Sequence, residues 1–354
     1  MDKQCIENNN MTSVSSEVLR QASLSVSALR RIGKWLTPTP CLRARQHIGN
    51  STELYLKAEN LQCSGSFKYR GALAKLTTIG TDTPVITASS GNHGLALATA
   101  ASVTGHRVRV VLPATVAREK LRKIEALGVE TILHSNDAGL AELHAQALAR
   151  EQGLAYVSPY NDETVIAGQG TIALELLQQL PVIDTVFISM GGGGLVSGIG
   201  SVLKAYSPRT KLIGVSAENS AALAASIGAG RVVQVDHRST LADGCAGSVE
   251  EGTVTLALAA SVIDEIIECT EQQIAEGLYK IAWQEKLLVE GSAALAFAAF
   301  LKTGASQKTR ASHKKRTSYK NSAGQNGKVA VVVLCGANFD RETVAPIISA
   351  KTSV

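Results

Sequence analysis

The sequence predicts an α/β protein of two three-layer units with mostly parallel sheets. Strand-like and helix-like segments alternate from Thr83 to Val157, and a second such series runs from Thr171 to Leu334. Short apolar runs separated by helix-length segments mark βαβ units, whose crossover helices cover both faces of a parallel sheet. The composition agrees: 354 residues that are 45% hydrophobic and 18% charged can fill two cores. With 31 glycines and only 8 prolines, the chain is neither collagen-like nor disordered.

Taken in order, residues 1–20 are a polar lead-in and 21–34 a helix. LTPTPCLRA (36–44) is extended, because Pro38 and Pro40 lack donors and disfavour helix before them. Glu53–Glu59 alternates as a strand does, and Gly65 and Ser66 open a helix over Phe67–Leu76. Val85–Ala88 is a strand, followed by SSGNHG and an alanine-rich helix from Leu95 to Thr104. Strand Val108–Leu112 stops at Pro113, and helix Arg118–Leu127 closes at Gly128. Strand Glu130–Leu133, helix Ala138–Gln152 and extended Ala155–Val157 complete the first series. The second contains helix Thr171–Leu180, strand Thr185–Ser189, a helix ending at Ala205 and strand Lys211–Ser216. Helices Gln272–Glu285 and Ser292–Leu301 and the apolar strand Lys328–Leu334 follow. The predicted division is a small domain over 84–160 and a large one over 1–83 and 161–354.

The net charge of +5 invites a nucleic-acid reading, so its distribution matters. Lys308, Arg310, Lys314, Lys315, Arg316, Lys320 and Lys328 crowd into residues 303–328, which hold no acidic residue. Setting those seven aside leaves the remainder mildly acidic. The segment is also rich in Ser, Thr, Gly, Asn and Gln, and is predicted to be a mobile basic loop within the large domain rather than a polyanion site. Cys5, Cys41, Cys63, Cys245, Cys269 and Cys335 are scattered with no CxxC, which argues for reduced thiols and against a metal site. The amino terminus lacks the apolar core of a secretory signal, and no run approaches the roughly 20 apolar residues of a membrane span. A cytoplasmic protein without membrane partners is expected.

Three motifs carry chemistry. In SGSFKYRG (64–71), Lys68 sits at a helix start whose open backbone attracts anions; a lysine on its own is ordinarily a solvated surface group, but one held in a cleft can act as a nucleophilic amine. Met190-Gly191-Gly192-Gly193-Gly194-Leu195 joins a strand to a helix, and successive glycines let backbone N–H groups converge on a phosphate. It is not a Walker loop, for no Gly-Lys-Ser/Thr follows, nor a dinucleotide fingerprint, for no acidic partner stands at the expected place. Ser89-Ser90-Gly91-Asn92-His93-Gly94 offers two hydroxyls, an amide, an imidazole and a helix start suited to a carboxylate; the plainer reading is an N-cap cluster with a structural histidine.

Together with Glu59-Asn60 and Leu334-Cys335-Gly336-Ala337-Asn338, these motifs resemble the tryptophan-synthase-β-like, fold type II pyridoxal-phosphate enzymes. The serine/threonine dehydratase and serine racemase group is the nearest match, over about Thr37 to Asp340. The resemblance implies pyridoxal 5′-phosphate in a cleft between two domains, and a homodimer. It makes Lys68 the residue bound covalently to the cofactor aldehyde, with Phe67 against the ring and Asn92 on the 3′-oxygen. Gly191, Gly192, Gly193, Gly194 and Leu195 would cradle the phosphate, and Cys335 would lie beside the pyridine nitrogen. Ser89, Ser90, Asn92 and His93 would surround the substrate carboxylate. A neutral thiol at Cys335 stabilises a protonated pyridine less than a carboxylate does, which favours β-elimination over transamination. Without the other motifs, Cys335 would read as a small buried residue.

The activity this implies is an ammonia-lyase that removes water from L-serine, L-threonine or a related 3-hydroxy amino acid, giving a 2-oxo acid and ammonia. The alternative is a serine-type racemase with Lys68 and Ser90 as its two bases, since Ser90 falls where that subgroup has its second base. A β-replacement enzyme is a weaker alternative, because those usually carry Thr in place of His93. Glu218 matches a cation-binding glutamate of the racemase subgroup, but Ala224 replaces its partner carboxylate, so no metal site is assigned.

Overall fold

The structure, a computed structural model, describes residues 14–45, 52–89, 91–114, 116, 118–136, 138–312 and 328–350. Strands β1 (Cys41–Arg43) and β2 (Thr52–Lys57) come first. They are followed by β3 (Val85–Ala88), β4 (Val108–Leu112), β5 (Glu130–Leu133) and β6 (Ala155–Tyr156), which form a four-stranded parallel sheet ordered β5-β4-β3-β6. Strands β7 (Thr185–Ser189), β8 (Lys211–Ala217), β9 (Glu265–Cys269) and β10 (Lys328–Val333) join the first two in a six-stranded sheet ordered β1-β2-β10-β7-β8-β9. That sheet is parallel except for the β1–β2 pair. Strand β10 is central because it is apolar on both faces: Val331, Val332 and Val333 are all fully buried. Each contributes about 1.5–3 kcal/mol of apolar burial.

Helices cover both sheets. Those that position the site are α1 (Ser16–Ile32), α2 (Lys68–Leu76), α3 (Asn92–Thr104), α4 (Arg118–Glu125), α5 (Ala138–Gln152), α6 (Glu163–Gln179) and α7 (Gly194–Tyr206). One core lies around the six-stranded sheet, with Ile199, Val202 and Phe297 at its heart. A second core joins the end of α1 and one face of α2 to α3 and the four-stranded sheet, through Ile32, Leu73, Leu97 and Val110. Helix α2, which begins at Lys68, therefore stands where the two packing systems meet.

Beneath α2 lies a buried ion cluster. The Arg70 guanidinium donates to both carboxylate oxygens of Glu59, each at 2.8 Å, and to Glu175 at 2.6 and 2.9 Å. Lys57 Nζ donates to Glu175 at 2.6 Å and to the Thr39 carbonyl at 2.8 Å. Two cations face two carboxylates, so the charge balances where none of the four meets solvent freely.

Several elements differ from the sequence-based expectation: β9 has no counterpart in it, α1 begins at Ser16 rather than at residue 21, and two others are instructive. Helix α6 starts at Glu163, not near Thr171, capped by Asp162, whose Oδ1 accepts from the backbone N of Thr164 and Val165 at 2.8 and 3.0 Å. Gly168 disguises its first half; a Cβ there would stand 2.5 Å from the Arg70 carbonyl, so glycine is required by the close approach of α2. The basic segment 303–328 is not a loop at its start: residues 303–312 continue the helix Gly291–Ser312, and Lys328 opens β10. Alanine and long polar side chains there are good helix formers, and charge alone did not reveal it. Residues 313–327 lie outside the described residues. Among the described residues, no helix is long and apolar enough to cross a membrane.

Candidate active site

The carboxyl ends of β3 and β7 open onto one cavity of about 820 Å³, lined from both sheets. Lys68 stands on its wall. The loop before it is clamped by the segment after β10: Phe67 N donates to the Cys335 carbonyl at 3.0 Å, and Ala337 N to the Gly65 carbonyl at 2.8 Å. Lys68 Nζ donates to the Pro159 carbonyl at 2.7 Å. Burial pushes its pKa down to about 8, against the opposing pull of Cys245, Cys335 and Glu290. An amine so placed is partly free base near neutrality, which an ordinary lysine is not.

The glycine loop lines the same cavity. Gly193 has φ +89°, in the left-handed region, and Gly194 opens α7, so the loop backbone and a helix terminus line the cavity together. A Cβ on Gly192 would stand 2.4 Å from the Tyr160 ring. The loop is held from behind by Thr255, whose hydroxyl donates to the Gly192 carbonyl at 2.7 Å.

The third wall is the start of α3. Ser89 Oγ accepts from Gly91 N at 3.2 Å. His93 is 2% exposed, its Nε2 lies 3.1 Å from the Val157 carbonyl, and its Nδ1 has no partner. Burial, then Lys68, push its pKa down to about 3. The ring is therefore neutral, carries its proton on Nε2, and presents Nδ1 as a buried acceptor. Ser90 lies outside the described residues, so its place relative to Lys68 is not part of this geometry.

Phe67, Lys68, Ser89, Asn92, His93, the four glycines, Leu195 and Cys335 all line the cavity. Glu218 does not; it follows β8, with its backbone N on the Cys269 carbonyl. Among the described residues, no cluster of three or more His, Cys, Asp or Glu is arranged for a metal. Sequence reasoning missed Glu290, which is 3% exposed and accepts from Asn92 Nδ2 at 2.8 and 3.0 Å and from Asn338 N at 3.2 Å. Cys335 Sγ lies 3.9 Å from Glu290 Oε1, and burial followed by Glu290 raises the thiol well above its ordinary pKa, so it is neutral. Glu290 sits in the unremarkable run Val289-Glu290-Gly291-Ser292, where no local pattern marks it. Asn338 was visible only as the last residue of the LCGAN motif.

The sequence profile of the family described as pyridoxal-phosphate dependent enzyme matches residues 32–317. The chain belongs to that family. Within it, the chain is 35% identical to the L-threonine ammonia-lyase of Thermotoga maritima, over 84% of this chain and 70% of that one. It is 32% identical to a catabolic L-threonine dehydratase of Staphylococcus aureus, over 90% and 88% of the two. Among solved structures, threonine deaminase isoform 2 from Solanum lycopersicum superposes with a TM-score of 0.83 at 28% identity, covering 95% of this chain and 88% of that one. Maize serine racemase gives 0.81 at 26%, covering 92% and 95%.

The site of this pyridoxal-phosphate dependent enzyme suits its cofactor on three observations. A desolvated amine lines the cavity, the glycine loop offers bare backbone where a Cβ on Gly192 would meet the Tyr160 ring, and a neutral thiol shares the lining. The cavity also falls within the 300–1,000 Å³ common for small-ligand sites.

Proposed function

We propose that the protein is an ammonia-lyase (dehydratase) acting on L-serine, L-threonine or a closely related 3-hydroxy amino acid, releasing water and ammonia and yielding the 2-oxo acid. One observation carries the reading: Lys68, an amine with a pKa of about 8, shares one cavity with the glycine cradle and the anion-attracting start of α3. The names of the 32–35% identical relatives agree with it. When bound, pyridoxal 5′-phosphate supplies an electron-withdrawing conjugated ring that acidifies the substrate Cα–H.

Gly191, Gly192, Gly193, Gly194 and Leu195 would hold the phosphate through main-chain N–H groups, and Phe67 would pack on the ring. Asn92, its amide oriented by Glu290, would donate to the ring oxygen. Cys335, a neutral thiol, would leave the pyridine nitrogen without a full counter-charge. The substrate carboxylate docks on Ser89, Ser90 and the first N–H groups of α3, with His93 Nδ1 as the neighbouring acceptor. Lys68 Nζ, as free base, takes the Cα proton. The four-stranded sheet and its helices form the small domain (84–160), residues 1–83 and 161–354 the large one, and the protein works as a cytoplasmic homodimer.

Purified protein mixed with pyridoxal phosphate is expected to show a visible absorption band that Lys68→Ala abolishes, and to release 2-oxo acid from at least one member of a panel of 3-hydroxy amino acids. An unchanged spectrum, or no 2-oxo acid from any of them, overturns the proposal. A racemase reading rests on the hydroxyl of Ser90 in the SSGNHG motif. Formation of D-serine from L-serine, lost in Ser90→Ala, would favour it.

A further inference from the structure

Glu142 and Glu250 both line the cavity. Glu142 projects from α5, beside the four-stranded sheet, and Tyr156 Oη donates to its Oε1 at 2.7 Å. Glu250 lies on the loop before Thr253, where Asn161 Nδ2 donates to its Oε2 at 2.7 Å and its backbone N donates to Tyr160 Oη at 2.9 Å. Glu250 Oε1 is buried and lacks a fixed donor. Burial above all, and Glu250 in addition, raise the pKa of Glu142, against the Tyr156 hydrogen bond. The two carboxyls thus interact, and both place acidic groups on the cavity lining.

The rest of the lining makes this charge matter. Asp243 and Glu290 add two more carboxylates. Among the described residues, Lys68 is the only lysine or arginine lining the cavity. Its amine is committed to the chemistry, and His93 is neutral. The substrate's own carboxylate has neutral donors at Ser89 and the start of α3, but among the described residues a second anionic group would find no lysine or arginine besides Lys68, only the His237 ring, and would share the cavity with Glu142 and Glu250.

We infer that Glu142 and Glu250 set the charge selectivity of the site: 3-hydroxy amino acids with uncharged side chains are accepted, and those carrying a second carboxylate or a phosphate are rejected. This rests on the proposed lyase activity and narrows its substrate class. Like charges brought together in a partly desolvated cleft discriminate by one to two orders of magnitude.

The test compares kcat/KM for L-threonine with that for 3-hydroxyaspartate in the cofactor-loaded wild type, Glu250→Gln and Glu142→Gln. Binding is read independently from the shift of the cofactor's visible band on titration with each amino acid. Wild type is expected to prefer L-threonine by roughly 100-fold, with the difference mainly in KM, and Glu250→Gln to close that gap about tenfold by improving the dicarboxylate. A wild type that takes both equally overturns the inference, as does a preference that survives in both variants. If neither compound is turned over, the lyase reading fails by itself. Equal titration curves for the two compounds would then overturn the selectivity as well, while weaker binding of the dicarboxylate that Glu250→Gln relieves would sustain it.

Discussion

Asn92 donates its side-chain amide to both carboxylate oxygens of Glu290, at 2.8 and 3.0 Å, across 198 residues of chain. The amide is gripped at its other end too, since Asn338 Nδ2 donates to Asn92 Oδ1 at 2.7 Å and to the Ser64 carbonyl at 2.8 Å. One carboxylate thus ties the start of α3 to the segment after β10, and through it to the loop that presents Lys68.

Removing that carboxylate strands buried donors. Glu290→Ala leaves Asn92 Nδ2 and Asn338 N without an acceptor, at about 1–3 kcal/mol per unsatisfied group. Urea unfolding of the apoprotein is expected to show that loss, and titration with pyridoxal phosphate a weaker affinity. Glu290→Gln keeps the volume and one acceptor, and is expected to fall between wild type and alanine. Stability and affinity equal to wild type in both variants would remove Glu290 from this role.

The depressed pKa of Lys68 has a kinetic signature. Only the free base attacks an aldehyde, so the rate at which apoprotein captures pyridoxal phosphate is expected to rise with pH, with a midpoint of about 8 rather than near the ordinary 10.5. The sign for stability follows from burial disfavouring the ammonium. The contribution of this group is fully present above the unfolded value and is lost as pH falls through about 8. Stopped-flow absorbance across pH 6–10 checks the first, and apoprotein unfolding compared with Lys68→Met checks the second.

Arg70 and Arg20 provide a contrast between ion pairs. Arg70, fully buried, bonds Glu59 and Glu175 together, and Arg70→Met leaves two interior carboxylates with Lys57 as their sole described cation. A loss of about 3–5 kcal/mol is expected. Arg20 pairs with Glu163 on the surface, and Arg20→Ala is expected to cost no more than about 1 kcal/mol. Denaturant midpoints of the two variants test the ordering; equal losses would refute it.

By itself the sequence determined what is local. The strand–helix alternation, the glycine run that needs φ +89° at Gly193, and the lysine at a helix start are all readable because each depends on residues a few positions apart. It also misled where local signals point the wrong way, as at Gly168, where a close helix approach looks like a break, and at 303–312, where positive charge hides a helix. Only the tertiary structure decided which carboxylates matter. Glu290, Glu142 and Glu250 look in the sequence like any solvated glutamate, and their roles come from desolvation and from partners that chain folding brings across the cavity. Charge in a protein acts through distance and burial, and neither is written in neighbouring residues.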